Sequence, residues 1–495
     1  MPSLHDLTAI LMSGQHSWRV WLKTFPDQLI SKLNGSRDEQ AITLCGLIYT
    51  SLHSEDRALV AKIVLCLLLQ IQQLPFGSNC ADPTLQQNCL ASADLLLATD
   101  EGLAGTLDGL ECMLLLAEFY INLANFRKVW LIVRRAVNLA QMLGLHQLLD
   151  DGNPQPLQRR QNLWTKLWQM DRGFSMILGL PCVTLDTQYP KISPEMHEER
   201  FLCELGVAMG RITARNQSRT QTAYSATLEI DEALEECKEL MTPTWWDTRP
   251  RISVSPDMLF LEYSKKMRFY ITRKLVHLPF MLKAHTDHRY EGSRIATLKA
   301  SKAVIEIFRI LRDEKLVAPK MCDMADFEAF SAAMTIVVDL VGQDRRDDEE
   351  SDWQIILDVA KDLKRVAQAV NCSVAAKGAR VLEDLYNSRN LSTSSNGRLC
   401  ELDIPYFGKI SIRQALLDSA ALQRGSSGEN PRQSSPPTVE VPGIGSKPVT
   451  SFEGWLFPDL TASPPWQDAD GAALTMPDFS VGDNWSWFLG DGDFA

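Results

Sequence analysis

From residue 1 to about residue 422, apolar positions recur three and four apart, and long runs alternating between apolar and polar residues are absent. That period puts apolar side chains on one helix face and predicts an almost entirely α-helical body. In RKVWLIVRRAVNLAQMLGL, Val129, Val133, Ala136, Ala140 and Leu143 form one stripe flanked by Arg134 and Arg135. Gly144 supplies the left-handed residue that commonly ends a helix. The next helix starts after Pro154 and Pro156, carries Trp164, Leu167, Trp168, Phe174 and Leu178, and meets stop signals at Gly179 and Pro181. Further helices are predicted over 42–52, 57–74, 110–124, 228–240, 258–283, 295–311, 327–341, 353–370 and 374–386. Pro75, Pro83, Pro243, Pro250, Pro279 and Pro319 punctuate them. No repeat of fixed period runs through these segments, so 1–422 is expected to be one irregular multihelical domain rather than a solenoid.

Beyond residue 422 the pattern changes. Residues 423–450, containing RGSSGENPRQSSPPTVEVPGIGSKPVT, hold too few apolar side chains to offset the entropy of ordering and are expected to be a disordered linker. The final segment, 451–495, carries eight acids, no Lys or Arg, and nine aromatics. Acids interleaved with rings keep the rings from collapsing on one another, leaving Trp455, Phe457, Phe479, Trp485, Trp487 and Phe488 open to an apolar groove on a partner. Docking of the same rings back on the helical body is the alternative.

At 495 residues, 45% of them hydrophobic and 23% charged, the chain has ample material for a large core. Fifty Lys and Arg stand against 62 acids, a formal charge of −12, which argues against a broad basic face for nucleic acid. Arg134-Arg135, Arg159-Arg160 and KKMRFYITRK (265–274) are short and read as solvated helix stripes. The eleven cysteines are scattered, odd in number and without a Cys-x-x-Cys, which points to reduced core residues and no structural zinc. The N-terminal residues lack the basic and apolar regions of a secretion signal. The greasiest run, Ile63 to Leu69, falls far short of the roughly 20 residues that span a bilayer, so a soluble protein without a membrane partner is expected.

The templates of catalysis fail in turn: no Gly-x-Ser-x-Gly, no His-Glu-x-x-His, no phosphate loop and no Gly-x-Gly-x-x-Gly. One acidic motif survives, Asp348-Glu349-Glu350-Ser351-Asp352, which matches the magnesium-binding pattern of all-helical terpene synthases. A metal-dependent enzyme of that type is therefore the alternative function, although the second metal motif is missing and acids at a helix start favour its dipole anyway. Asp171 and Arg172 stand among tryptophan, phenylalanine and aliphatic residues. A charge there is costly unless paired, and the expected arrangement is a structural clasp in which Asp171 meets Arg135 or Arg134 of the preceding helix. No nucleophile, metal-ligand set or phosphate loop accompanies it, so no catalytic residue, cofactor or metal is expected.

The succession RRAVNLAQMLGLHQ, QRRQNLWTKLWQMDRGFSMILGLP and LVHLPFM resembles the middle homology, or fungal-specific transcription factor, domain of fungal zinc-cluster regulators. The matching positions include Leu143, Gly144, Leu145 and His146, then Arg160, Trp164, Asp171 and Arg172, then Gly179 and Pro181, and the resemblance is clearest over 90–285. Thr165, Leu180 and Leu278 depart from the pattern, standing where a tryptophan and two arginines are usual. The resemblance implies a nuclear regulator of transcription, such as one controlling a secondary-metabolite gene cluster. Its tail would act as an activation segment recruiting coactivators, and its body would restrain the tail or form homo- or heterodimers. Such regulators hold two zinc ions in six cysteines ahead of this domain, and these residues show no such cluster. Contact with DNA would then be indirect or through a module not in this sequence. A fingerless partner that antagonises a full-length relative is the other reading within the family.

Overall fold

The computed structural model describes residues 4–13, 36–74, 83–147, 154–218, 224–249, 256–284, 286–313, 322–342, 349–370, 372–388, 399–404 and 408–413. It divides into two compact units, Met1–Ala379 and Arg380–Ala495. The helices are α1 Leu4–Ser13, α2 Arg37–Ser51, α3 Arg57–Gln72, α4 Pro83–Thr99, α5 Glu101–Ala104, α6 Leu107–Asn122, α7 Phe126–Met142 and α8 Pro154–Leu178. They continue as α9 His197–Gln217, α10 Tyr224–Glu239, α11 Pro256–Ala284, α12 Glu291–Leu311, α13 Asp323–Gly342, α14 Glu349–Val370 and α15 Ser373–Ser388. Two strands follow in the second unit, β1 Leu399–Ile404 and β2 Gly408–Arg413.

Local chemistry sets many of the helix starts. Ser36 and Glu39 form a reciprocal capping box on α2, while Asp56, Thr106 and Asn125 accept backbone N–H bonds at the starts of α3, α6 and α7. The apolar run in α3 makes it a central core helix, buried continuously from Ala61 to Gln72 and packed on α4 and α6. No helix among the described residues is long and apolar enough to cross a membrane. Phe201 of α9, Phe269 of α11 and the Trp245–Trp246 pair interlock as an aromatic cluster, with the two tryptophan rings 4.7 Å apart and edge-on.

The helical expectation holds through α15, with corrections. The chain also forms α1, α4 and α9, which lie outside the predicted helix ranges; Gly206 and Gly210 interrupt the pattern of α9, and Gln86, Gln87 and Asn88 that of α4. Pro279 lies inside α11, as the predicted 258–283 range already implied, rather than between helices, and Pro83 opens α4 at a first-turn position, where a missing N–H costs nothing. Within 1–422 an antiparallel hairpin is added, pairing Leu402 with Ile410 and Cys400 with Ile412. Its apolar residues alternate at 400, 402, 404, 410 and 412, a period of two too short to stand out against a helical background. The 423–450 and 451–495 segments lie outside the described residues.

Candidate functional site

Of the α7 stripe, Val129, Val133, Ala136 and Ala140 are buried, and Leu143, at the helix end, is half-buried. The helix closes in a Schellman arrangement, with Leu145 N donating to Ala140 O at 2.9 Å and Gly144 N to Gln141 O at 3.0 Å. Gly144 sits at φ +70°, and Leu145 is driven into the core. Arg160 of α8 finishes the end by donating to Leu143 O at 3.1 Å. His146 packs 6.0 Å from the Trp164 ring. Helix α8 ends in the same way at Gly179, φ +65°, with Leu180 N bonded to Ser175 O at 2.9 Å.

That turn throws residues 181–188 back along α8 as a strap, and α8 grips it with side chains one or two helical turns apart. Trp164 Nε1 donates to Gln188 O at 3.0 Å, and Trp168 Nε1 to Leu185 O at 3.3 Å. Asp171 Oδ2 accepts three bonds, from Val183 N at 2.9 Å and from Thr184 N and Oγ1 at 2.8 Å each. Arg172 donates to Thr184 O at 3.3 Å, pairs with Asp186 at 2.6 Å and lies 4.1 Å over the Trp168 ring. Ser175 Oγ donates to Pro181 O at 3.3 Å while accepting from Trp130 Nε1 at 3.1 Å, which ties α7 into the same joint.

Asp171 and Arg172 thus form a clasp, but with other partners than expected. Arg135 is exposed and donates to Leu97 O of α4 at 2.7 Å; Arg134 stacks 4.4 Å over Trp130 and donates to Pro181 O at 2.6 Å. Two backbone amides at the start of the strap and the Thr184 hydroxyl serve one carboxylate oxygen, Oδ2, in the place expected for a guanidinium. Asp171 Oδ1 stays buried with no hydrogen-bond partner among the described residues.

On its other side α8 meets α9 through Gly206 and Gly210. A Cβ on Gly206 would stand 2.6 Å from the Trp168 ring, and one on Gly210 would collide with the Arg172 guanidinium. These two glycines, Thr184 and Gln188 are the residues that sequence reasoning missed. A pair of glycines four apart facing a large pair four apart is a signal of close helix approach, but it becomes readable only once the partner helix is known.

Ser175 Oγ is committed to Trp130 and Pro181, and burial followed by the Asp171 carboxylate pushes the Cys182 thiol up from its ordinary range. Elsewhere, Asp352 of the acidic motif is buried and paired with Lys302 at 2.5 Å, while Asp348 lies outside the described residues. Asp323, Asp326 and Cys372 bring three donor atoms within 4.8 Å of one another. There Arg312 already supplies the positive charge, bonding Asp326 through Nε at 2.8 Å and Nη2 at 2.7 Å. Burial and the neighbouring Asp326 carboxylate push Asp323 up to about 7. The residues Trp455, Phe457, Phe479, Trp485, Trp487 and Phe488 lie outside the described residues.

Residues 7–203, the stretch containing the two glycine-ended helices and the strap, match the fungal specific transcription factor domain. The chain is 27% identical over 396 residues to the transcription factor sdnS of Sordaria araneosa, covering 71% of this chain and 51% of that protein. It is 26% identical over 487 residues to the dehydrocurvularin biosynthesis regulator of Aspergillus terreus, covering 90% and 62%. With the probable transcription factor gsfR1 of Penicillium aethiopicum it shares 28% over 365 residues, 68% and 51% of the two chains. The chain therefore spans about half to three fifths of the length of these curated relatives. No solved structure matches.

Proposed function

We propose that this chain, which matches the fungal specific transcription factor domain over residues 7–203, regulates transcription of a secondary-metabolite biosynthetic gene cluster in the nucleus. The observation that carries the reading is the pairing of that domain match with relatives named as transcription factors or as a regulator of dehydrocurvularin biosynthesis. The committed hydrogen bonds of Asp171, Arg172 and Ser175 support a scaffold in place of a catalytic centre, and the terpene-synthase alternative gains nothing from an Asp352 held by Lys302.

In this reading the helical body positions and restrains, or dimerises, and the acidic-aromatic segment 451–495 recruits coactivators through Trp485, Trp487, Phe488 and the neighbouring acids. DNA is reached through a partner or through a zinc-binding module outside these residues, since the eleven cysteines present lack the six-cysteine pattern. Fusing residues 451–495 to a foreign DNA-binding domain tests recruitment: reporter output well above that of the domain alone is expected, and output no higher contradicts this part. Deleting the gene tests the regulator itself. Transcripts of an adjoining biosynthetic cluster should fall, and an unchanged transcript profile contradicts the reading.

A further inference from the structure

Helices α10, α11 and α12 enclose a cleft of about 400 Å³, within the size range of small-ligand pockets. It lies beyond the residues 7–203 that match the family domain. Each helix contributes one face: Tyr224 and Asp231 from α10, Tyr270, Arg273 and His277 from α11, Ala296 and Lys299 from α12. Ala296 leaves the room that a larger side chain would fill.

The floor is polar and ion-paired. His277 is buried, with Nδ1 3.0 Å from Ser293 Oγ and Nε2 3.1 Å from Asp231 Oδ1. Arg273 Nε stands 3.1 Å from the same Asp231 oxygen, and the Arg273 guanidinium also pairs with Glu235. Asp231 is thereby held well ionised, its carboxyl lowered by His277 and Arg273 against the opposing effect of burial. A second cation would find no free acid here.

The walls are aromatic and fixed in place. Tyr224 packs 4.8 Å from Phe280 and 5.0 Å from Tyr290, and Tyr270 packs 5.3 Å from Phe269. At the mouth, Leu228 and Ile295 expose 49% and 41% of their surface, an apolar rim with nothing yet to cover. Lys299 is exposed beside them and has no ion-pair partner among the described residues. An ammonium without an ion pair among the described residues, two tyrosine walls and an apolar rim around one small volume favour a flat ring with a negative group.

We propose that this cleft binds a small planar organic anion, an aromatic carboxylate of the size of benzoate or salicylate, with its charge at Lys299 and its ring between the Tyr224 and Tyr270 walls. The site stands on its own geometry and holds whether or not the chain regulates transcription. Calorimetric titration of the full chain with sodium benzoate, sodium salicylate and uncharged benzamide tests it. One-to-one saturable binding of the two acids is expected, with benzamide weaker by about tenfold or more because it lacks the charge for Lys299. Lys299→Glu, at an exposed position, should weaken benzoate by about tenfold or more, and Ala296→Trp should abolish binding by filling the cleft. Absence of saturable benzoate and salicylate binding up to about 10 mM, equal binding of benzamide, or undiminished affinity in Lys299→Glu overturns the proposal. Where Ala296→Trp does not fold, as judged by its melting curve, Lys299→Glu and benzamide decide the matter.

Discussion

The Arg172 guanidinium occupies the space that a side chain on Gly210 would need: a Cβ there would stand 3.2 Å from Cζ and closer still to Nη1. Arg172 cannot yield freely, because Asp186, the Thr184 carbonyl and the Trp168 ring hold it from three sides. Gly210→Ala is therefore expected to cost about 1–3 kcal/mol, the usual range for an overpacked contact. Urea unfolding of the two proteins checks it, and equal midpoints would mean that α8 and α9 have room to separate.

Gly144 ends α7 at φ +70°, where an L side chain is strained whatever the surrounding space. Gly144→Ala should lose about 1–2 kcal/mol. Gly173, whose added Cβ would make only an ordinary 3.7 Å contact with Met209, is the control within the same joint. Gly173→Ala should be stabilising by about 0.5–1 kcal/mol through helix propensity, so the two glycines are predicted to differ in sign in the same unfolding assay.

Asp323 has its carboxyl raised by burial and by Asp326 to about 7, against an ordinary value of 3.8. The folded chain then keeps a proton that the unfolded chain has released. This contribution to stability is full below pH 3.8 and is lost as pH rises through about 7. Relative to Asp323→Asn, the native protein should lose stability across that window with a limiting slope of about 1.4 kcal/mol per pH unit, and run parallel to the variant outside it. Denaturation series at several pH values measure the difference directly; parallel curves throughout would show Asp323 to be solvated.

Much of this was legible because helical order is written in periodicity. The α7 stripe and the glycines at 144 and 179 needed only side-chain type and spacing, and Asp171 needed only its apolar neighbours to be marked as a charge requiring partners. What could not be read was who those partners are. Val183 N and Thr184 N are backbone donors, which every residue but proline possesses, so nothing in the residue types distinguishes them from Arg134 or Arg135 as candidates. Helix α9 was hidden for a related reason. Gly206 and Gly210 lower its intrinsic propensity, and the gain that compensates, close approach to Trp168 and Arg172, belongs to another helix. The α10–α11–α12 cleft joins residues as far apart as 224 and 300, and no local pattern announces it.

Asp171 anchors the strap through Val183 and Thr184. Native-state hydrogen exchange at the amides of Val183 and Thr184, in the parent chain and in Asp171→Ala, tests it most directly. Both amides should be protected in the parent and exchange far faster in the variant, with stability lowered by about 1–3 kcal/mol for each buried donor left without an acceptor. Equal exchange rates at the two amides in the two proteins would contradict it.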